Sequence, residues 1–379
     1  MKRENLPIYL AGILAFVGVV GLLPDWILAL KQLLYNLAGF LIFLHVIRFN
    51  IRTIVMNSRP LYYVTLVLLV AVLFFGTGAG VKRWFNIGVM NFQPSEIAKV
   101  TVPLYLIAVE GTLKRILLGG IAWILVLIEP DLATSSVILI LTLYVVFITA
   151  RDLKVVVLLF SILVAPIVSF VKVLFWAFMG LITAALTVLR ASLGWVVVTL
   201  GLVIGIGLTT PVLWNRGLKE YQRKRILAML NPQENREVLY QTYQSRIALA
   251  NAGIFGKGIR GATQKNYGFL PAAHTDFAFT SIVEVYGYIA GAVLILMLYA
   301  LPFLLFYLSL SPDPYVQRIS STAGMFFLYQ TSVNLMSVLG LLPIAGIPLP
   351  FITYGGSHIL TEWIWLALSY SAYRWRVET

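Results

Sequence analysis

The chain has 379 residues, of which 60% are hydrophobic and 11% charged, with a formal net charge of +13 and a mean hydropathy of +0.90. Soluble domains average about 45–50% apolar and about 25% charged residues, so this composition excludes an ordinary water-solvated globule and calls for lipid as the solvent of much of the surface. The absence of cysteine excludes disulfides, thiolate zinc sites and thiol catalysis, leaving carboxylates, amines, hydroxyls and three histidines to carry any chemistry.

A helical span takes about 20 mainly apolar residues, and the apolar runs leave room for about ten. In chain order they predict spans near 8–23, 27–46, 61–75, 94–109, 116–128, 132–149 and 155–171. A further apolar block at 173–213 and a long polar loop at 214–276 follow, then spans near 277–307, 320–342 and 357–373. No small-residue cleavage site follows the run from Ile8 to Leu23, so the first span reads as a retained anchor. The expected fold class is all-α: a single polytopic helical membrane domain over 1–379, with one large loop before the last three spans.

Short loops rich in Lys and Arg mark the cytoplasmic side. Alternate connections carry Lys2 and Arg3; Arg48, Arg52 and Arg59; Lys114 and Arg115; Arg151 and Lys154; then Arg318, Arg374 and Arg376. Both termini are therefore expected in the cytoplasm, with Pro24, Asp25, Gly76–Asn91, Glu129–Asp131, 214–276 and Pro343–Pro350 outside. This alternation requires an odd number of crossings within 155–213: one crossing with an interfacial pair, or three split near Lys172 and Arg190. The basic excess reflects orientation and anionic lipid, and no nucleic-acid partner is expected. The outer loop holds ten basic residues against four acids, which suggests an anionic ligand or attraction to anionic headgroups.

A charge at bilayer depth costs about 2.5–3.5 kcal/mol on insertion scales, so each one requires a partner or a task. Glu96 and Lys99 are three apart behind Pro94 and Ser95, hence on one helical face; they read either as a structural pair or as the lining of a substrate or metal site. Glu129 and Asp131 flank Pro130, and Asp131 either caps the next helix or supplies a second carboxylate. Glu284 lies on an apolar stretch about two turns beyond Asp276 and is expected to face the same polar interior. In Phe269–Phe279 the basic loop returns to the membrane and presents Asp276 at the start of a span, where it is either an N-cap or a reactive carboxylate.

Seven motifs then occur in order: Phe-Gln-Pro-Ser-Glu-Ile-Ala-Lys at 92–99, Glu-Pro-Asp-Leu-Ala-Thr at 129–134, Tyr-Gln-Arg-Lys-Arg-Ile at 221–226, Tyr-Gln-x-x-Gln-Ser at 240–245, Gly-Lys-Gly at 256–258, His-Thr-Asp-Phe at 274–277, and Leu-Pro-x-x-Gly-Ile-Pro-Leu-Pro-Phe-Ile-Thr-Tyr-Gly-Gly-Ser at 342–357. From about residue 60 to the C-terminus the chain resembles the SEDS family, and its short termini and loop are closer to elongation-type than to division-type members. Resemblance implies a ten-span core, with an extra apolar hairpin near 173–190 as an insertion. It implies a peptidoglycan glycosyltransferase that joins lipid II disaccharides on the outer face of the bacterial cytoplasmic membrane, for cell elongation and shape. It also implies a class B penicillin-binding protein as partner. Asp276 matches the family's essential acid, Glu96 and Lys99 its intramembrane pair, and Asp131 an acid near the central cavity. Family members carry Gln-Pro-Asp-Leu-Gly-Thr where this chain has Glu129 and Ala133, and a glycine where it has Ala262.

On that reading Asp276 is the general base, with Gln244, His274 and Glu284 as supporting residues. Arg223, Arg225, Arg246, Lys257 or a divalent cation such as Mg²⁺ or Mn²⁺ would neutralise the pyrophosphate leaving group, although the sequence shows no dedicated metal cage. Two rival readings remain at this level: a lipid II transporter, since intramembrane charges also mark transport paths, and a non-catalytic scaffold for the penicillin-binding protein.

Overall fold

The structure, a computed structural model, describes residues 3–23, 25–78, 82–86, 88, 91–150, 152–217, 220–230, 239–270, 272–344 and 346–376, with only the backbone of 221, 222, 225, 229 and 230. Long helices dominate it. In chain order they are α1 (Leu6–Gly21), α2 (Trp26–Val46), α3 (Ser58–Phe75), α4 (Pro94–Ala108), α5 (Thr112–Ile128) and α6 (Leu132–Ala150). There follow α7 (Leu153–Val168), α8 (Lys172–Val188), α9 (Leu193–Val212), α10 (Ala278–Leu308), α11 (Pro314–Val338) and α12 (Gly356–Arg374). The protein is thus an all-α polytopic membrane protein. Its one small sheet pairs β1 (Phe85–Asn86) antiparallel with β2 (Asn91–Phe92), Phe85 opposite Phe92.

Local chemistry sets the helix starts. The Asp25 carboxylate accepts the N–H groups of Ile27 and Leu28, Asp152 that of Lys154, and Asp313 those of Tyr315 and Val316, each satisfying donors that a helix N-terminus leaves free. Pro94 and Pro314 occupy first-turn positions, where a missing N–H costs nothing. The block 155–213 resolves into three helices broken at 169–171 and 189–192, an arrangement compatible with either one crossing and an interfacial pair or three crossings.

The predicted span 277–307 is not one straight helix. The backbone of α10 leaves helical geometry at Gly287 (φ 87°, ψ 178°), and the two parts fold together so closely that a Cβ on Gly291 would meet the Val283 side chain at 2.7 Å. Residues 278–286 therefore lie beside the first turn of the longer limb. That fold-back lowers the start of α10 towards the bundle interior.

Two ends of the bundle can be told apart by their contacts. At one, the Trp375 indole donates to Ile47 O, Ser371 to Phe49 O, and Arg52 pairs with Asp313 at 2.9 Å. At the other, Lys265 Nζ donates to Gly21 O, Ser357 to Asn91 O and Tyr354 N to His274 O. The second end gathers every motif acid considered below.

One large core joins α1–α6 with α10–α12, and a smaller one around Phe175, Phe178, Ile182 and Val203 holds α7–α9 together as a lateral unit. Close interhelical contact depends on glycine: a Cβ on Gly39 of α2 would collide with the Trp363 ring of α12. Gly39→Val is expected to cost about 1–3 kcal/mol by overpacking, read as a lower melting temperature in detergent, whereas Gly12→Ala, with open space around it, leaves the melt unchanged.

Candidate functional site

The loop leading into α10 carries Asp276; Asn334 and Thr353 hold that loop, and Gln32 holds the turn that carries Thr353. Asn334 of α11 donates through Nδ2 to Asp276 O at 3.2 Å and to Ile347 O at 2.8 Å. Thr353 Oγ1 donates to Thr275 O at 3.3 Å while accepting Leu349 N. Gln32 of α2 donates to Thr353 O at 3.0 Å, and its Oε1 takes the Gly355 N–H at 3.4 Å. Because the N-cap position of α10 falls on Phe277, Asp276 lies one residue outside the helix and is half-buried. Its own peptide carbonyl is clamped.

Adjoining cavities surround this loop. A cavity of about 410 Å³ is lined by Glu96, Gln93, His274, Thr275, Tyr354 and His358 among others. A pocket of about 10 Å³ holds Asp276 beside Asn334, Ile344 and Ile347. A third, of about 310 Å³, is lined by Asp131, Arg83, Tyr329 and Ile226, and again by Ile344 and Ile347. The acids thus open onto separate cavities, of which the Asp276 pocket and the Asp131 cavity share Ile344 and Ile347 as a wall. Gln93 joins the first to the third, donating to Asp131 Oδ2 at 2.8 Å.

Glu96 and Lys99 form a buried ion pair of 2.6 Å, with side chains 8% and 1% exposed. The Lys99 ammonium also stands 5.8 Å from the centroid of the Phe326 ring of α11. Glu362 of α12, fully buried, accepts Phe351 N at 2.8 Å and so fixes the turn that precedes Thr353. Asp131 is a helix cap and a site acid together: Oδ1 takes Thr134 N at 3.0 Å and Oδ2 faces Gln93. Next to it, Arg83 donates to Glu129 O at 2.9 Å and to Pro130 O. The Glu129 carboxyl is 1% exposed and, among the described residues, neither oxygen has a hydrogen-bond partner. Burial, then the charge of Asp131, pushes it up to about 8 against the pull of Arg83.

The loop residues separate into two groups. The helix Tyr240–Ala252 packs on the start of α10 and the end of α11: Ser245 Oγ lies 2.8 Å from Thr280 Oγ1 of α10 and 3.2 Å from Val338 O of α11, and Arg246 Nε donates to Leu339 O at 3.1 Å. This brings Arg246 to the turn after α11, with Gln244 half-buried on the same helix. Arg223 belongs to the helix Glu220–Leu230, whose Ile226 lines the Asp131 cavity, and the side chain of Arg225 lies outside the described residues. Lys257 is exposed at the kink of α10. Glu284 does not face the Asp276 interior as expected. Its carboxylate accepts Gln264 N at 2.8 Å and Lys265 N at 3.1 Å, closing the loop back onto α10, because two free amide donors satisfy a buried acid better than an empty apolar face. Burial holds the Lys265 amine below its ordinary value, with Glu284 opposing. Among the described residues no group of three or more His, Asp or Glu side chains converges as a cation cage.

Several groups that matter here carried too weak a sequence signal to be singled out. Glu362 did have one, an ionisable residue in mid-span. Arg83, Asn334 and Gln32 had none beyond polarity, since their partners are backbone carbonyls far away in sequence.

The sequence model of the FtsW/RodA/SpoVE family, described as cell cycle protein, matches residues 19–181 and 174–376. The chain is similar to the peptidoglycan glycosyltransferase RodA of Treponema pallidum, at 31% identity over 88% of this chain and 87% of the relative. To the peptidoglycan glycosyltransferase MrdB of Escherichia coli it is 29% identical over 79% and 73%. Among solved structures it resembles one titled "Structural coordination of polymerization and crosslinking by a peptidoglycan synthase complex", with TM-score 0.68 and 25% identity over 97% and 96% of the two chains. Thermus thermophilus RodA shares the fold at TM-score 0.62 and 22% identity over 99% and 98%.

A carboxyl held at about 8 when folded and at about 4.3 when unfolded binds its proton more tightly in the native state. Glu129 therefore contributes stability that is lost as pH rises from about 4.5 to about 8. Glu129→Gln is expected to melt close to the parent at pH 5 and above it by a growing margin up to pH 8, equivalent to about 2–4 kcal/mol. Parallel melting curves across that range would remove Glu129 as the cause.

Proposed function

From the premise that the chain belongs to the FtsW/RodA/SpoVE family of cell cycle proteins, we propose that it is a peptidoglycan glycosyltransferase of the cell-elongation type, polymerising lipid II in the bacterial cytoplasmic membrane. The observation that carries this reading is the clamped Asp276 loop, set between cavities lined by Glu96 on one side and Asp131 on the other. The basic end of the bundle, with Arg48, Arg52, Arg59, Arg318, Arg374 and Arg376, faces the cytoplasm under the positive-inside rule. The site end then opens outward, where lipid-linked disaccharide is available.

In the proposed reaction the 4-hydroxyl of one sugar gives its proton to the Asp276 carboxylate as its oxygen bonds to the anomeric carbon of the other. The bond from that carbon to the pyrophosphate oxygen breaks, the electron pair leaves with polyprenyl pyrophosphate, and the configuration inverts. A sugar hydroxyl is a poor nucleophile at neutral pH, and a positioned base contributes about 10²–10⁴-fold. The clamp on the Asp276 carbonyl fixes the backbone that carries that base. The leaving group needs positive charge more than a proton, and on this reading Arg246 at the turn after α11, Arg223 on the loop helix and Arg83 beside Asp131 supply it. A class B penicillin-binding protein is the expected partner, consistent with the likeness to a complex that coordinates polymerisation with crosslinking.

Asp276→Asn keeps the size of the side chain and removes the base. Purified protein carrying it is expected to lose at least about 10²-fold in glycan-strand formation from lipid II, with an unchanged melting temperature. Full-rate polymerisation would exclude Asp276 from the mechanism. Lipid II translocation without polymer in sealed vesicles would replace the enzyme by a transporter.

A further inference from the structure

The loop segment 253–260 packs on the kink of α10, backbone against backbone. Tyr288 N donates to Gly253 O at 3.0 Å, Ile289 N to Ile254 O at 3.4 Å and Lys257 N to Glu284 O at 2.9 Å. Both glycines at the contact have positive φ, 80° at Gly256 and 87° at Gly287, and a Cβ on either would collide with the other strand of backbone. The segment is therefore held at a fixed height on the helix.

That height can be read from the helix itself. Tyr288 and Tyr307 of α10 are both partly exposed, at 45% and 49%. From residue 288 to residue 307 an α-helix rises about 28 Å, close to the roughly 30 Å of a hydrocarbon core, and tyrosines concentrate at its two boundaries. Gly253 and Ile254, hydrogen-bonded to residues 288 and 289, accordingly lie at the outer boundary of the bilayer. At that level Ile254 is 59% exposed, Phe255 82% and Ile259 49%. Water would be a poor neighbour for three large apolar side chains so close together. Lys257 and Arg260 are exposed among them, and no acidic residue occurs between 238 and 275.

We propose that 253–260 is an interfacial anchor, its Ile254, Phe255 and Ile259 side chains dipping into the outer-leaflet hydrocarbon while Lys257 and Arg260 lie among the headgroups and favour anionic lipid. The charge pattern suits an anionic surface, and the apolar face continues the lipid-facing side of α10. Through the Lys257 N–H on Glu284 O and the Glu284 carboxylate on Gln264 and Lys265, the anchor is tied to the stretch that leads to Asp276. Its depth in the leaflet therefore sets the height at which that loop meets a lipid-borne headgroup.

The chain has no cysteine, so single nitroxide labels carry no background. Phe255→Cys and Ile259→Cys, labelled in vesicles of phosphatidylethanolamine and phosphatidylglycerol, are expected to be more accessible to oxygen than to a water-soluble nickel relaxant. They should sit shallower than a label at Leu296→Cys, which faces outward near mid-helix. Adding Lys257→Gln and Arg260→Gln should move the Phe255→Cys label towards water and abolish any dependence on the phosphatidylglycerol fraction. Nickel accessibility at both positions equal to that of free label overturns the proposal. So does protection from both relaxants, which would mean that protein rather than lipid covers the segment.

Discussion

The structure depends on one cation kept out of water. Lys99, 1% exposed, meets Glu96 at 2.6 Å one turn inside α4 and stands over Phe326 of α11. A lone charge at that depth would be prohibitive, and breaking a buried pair by removing one partner costs about 3–5 kcal/mol. The pair therefore obliges α4 and α11 to stay together at the site end, and Glu362 extends the polar interior to α12 through the Phe351 N–H. Once these helices are fixed, the turn 351–355 and the Asp276 loop have a rigid wall to bond to.

On that wall the site is assembled from backbone carbonyls as much as from acids. Asn334, Thr353 and Gln32 each spend a neutral side chain on a loop carbonyl or amide, which fixes the loop without adding charge beside Asp276. The fold-back at Gly287 completes the arrangement by bringing Phe279 and Val283 against the first turn of the longer limb of α10. Glu284 and Gly256 then hold the basic loop against the same kink. Exposed charge and exposed apolar surface are thereby carried on one continuous segment.

Much of this was legible in the residues. Apolar runs gave the helices to within a few positions, basic loops gave the common end of the termini, and charges at bilayer depth pointed to Glu96, Lys99 and Asp131. Of the Asp131 alternatives the structure shows the cap, one carboxylate oxygen holding the start of α6 while the other accepts from Gln93. The sharp turn at Gly287 was not legible, because a glycine within an apolar run looks like any small residue of a membrane helix; only the Gly256 backbone pressed against it explains the conformation. Glu284 was misjudged for a related reason. Its partners are amide donors twenty residues away in a loop, and no local pattern announces them. The three-helix unit α7–α9 was left open by charge counting, which fixes parity and not number.

The central claim is that the Glu96–Lys99 pair is the keystone of the site end, with Glu96 lining the cavity beside the Asp276 loop. A double-mutant cycle on the purified protein tests it, reading thermal stability and lipid II polymerisation together for Lys99→Met, Glu96→Gln and the double variant. The account predicts that the double variant melts above Lys99→Met, because no unpaired acid is left at position 96, yet stays as inactive as either single. Additive stability losses, or polymerisation restored along with the melting temperature, would contradict it.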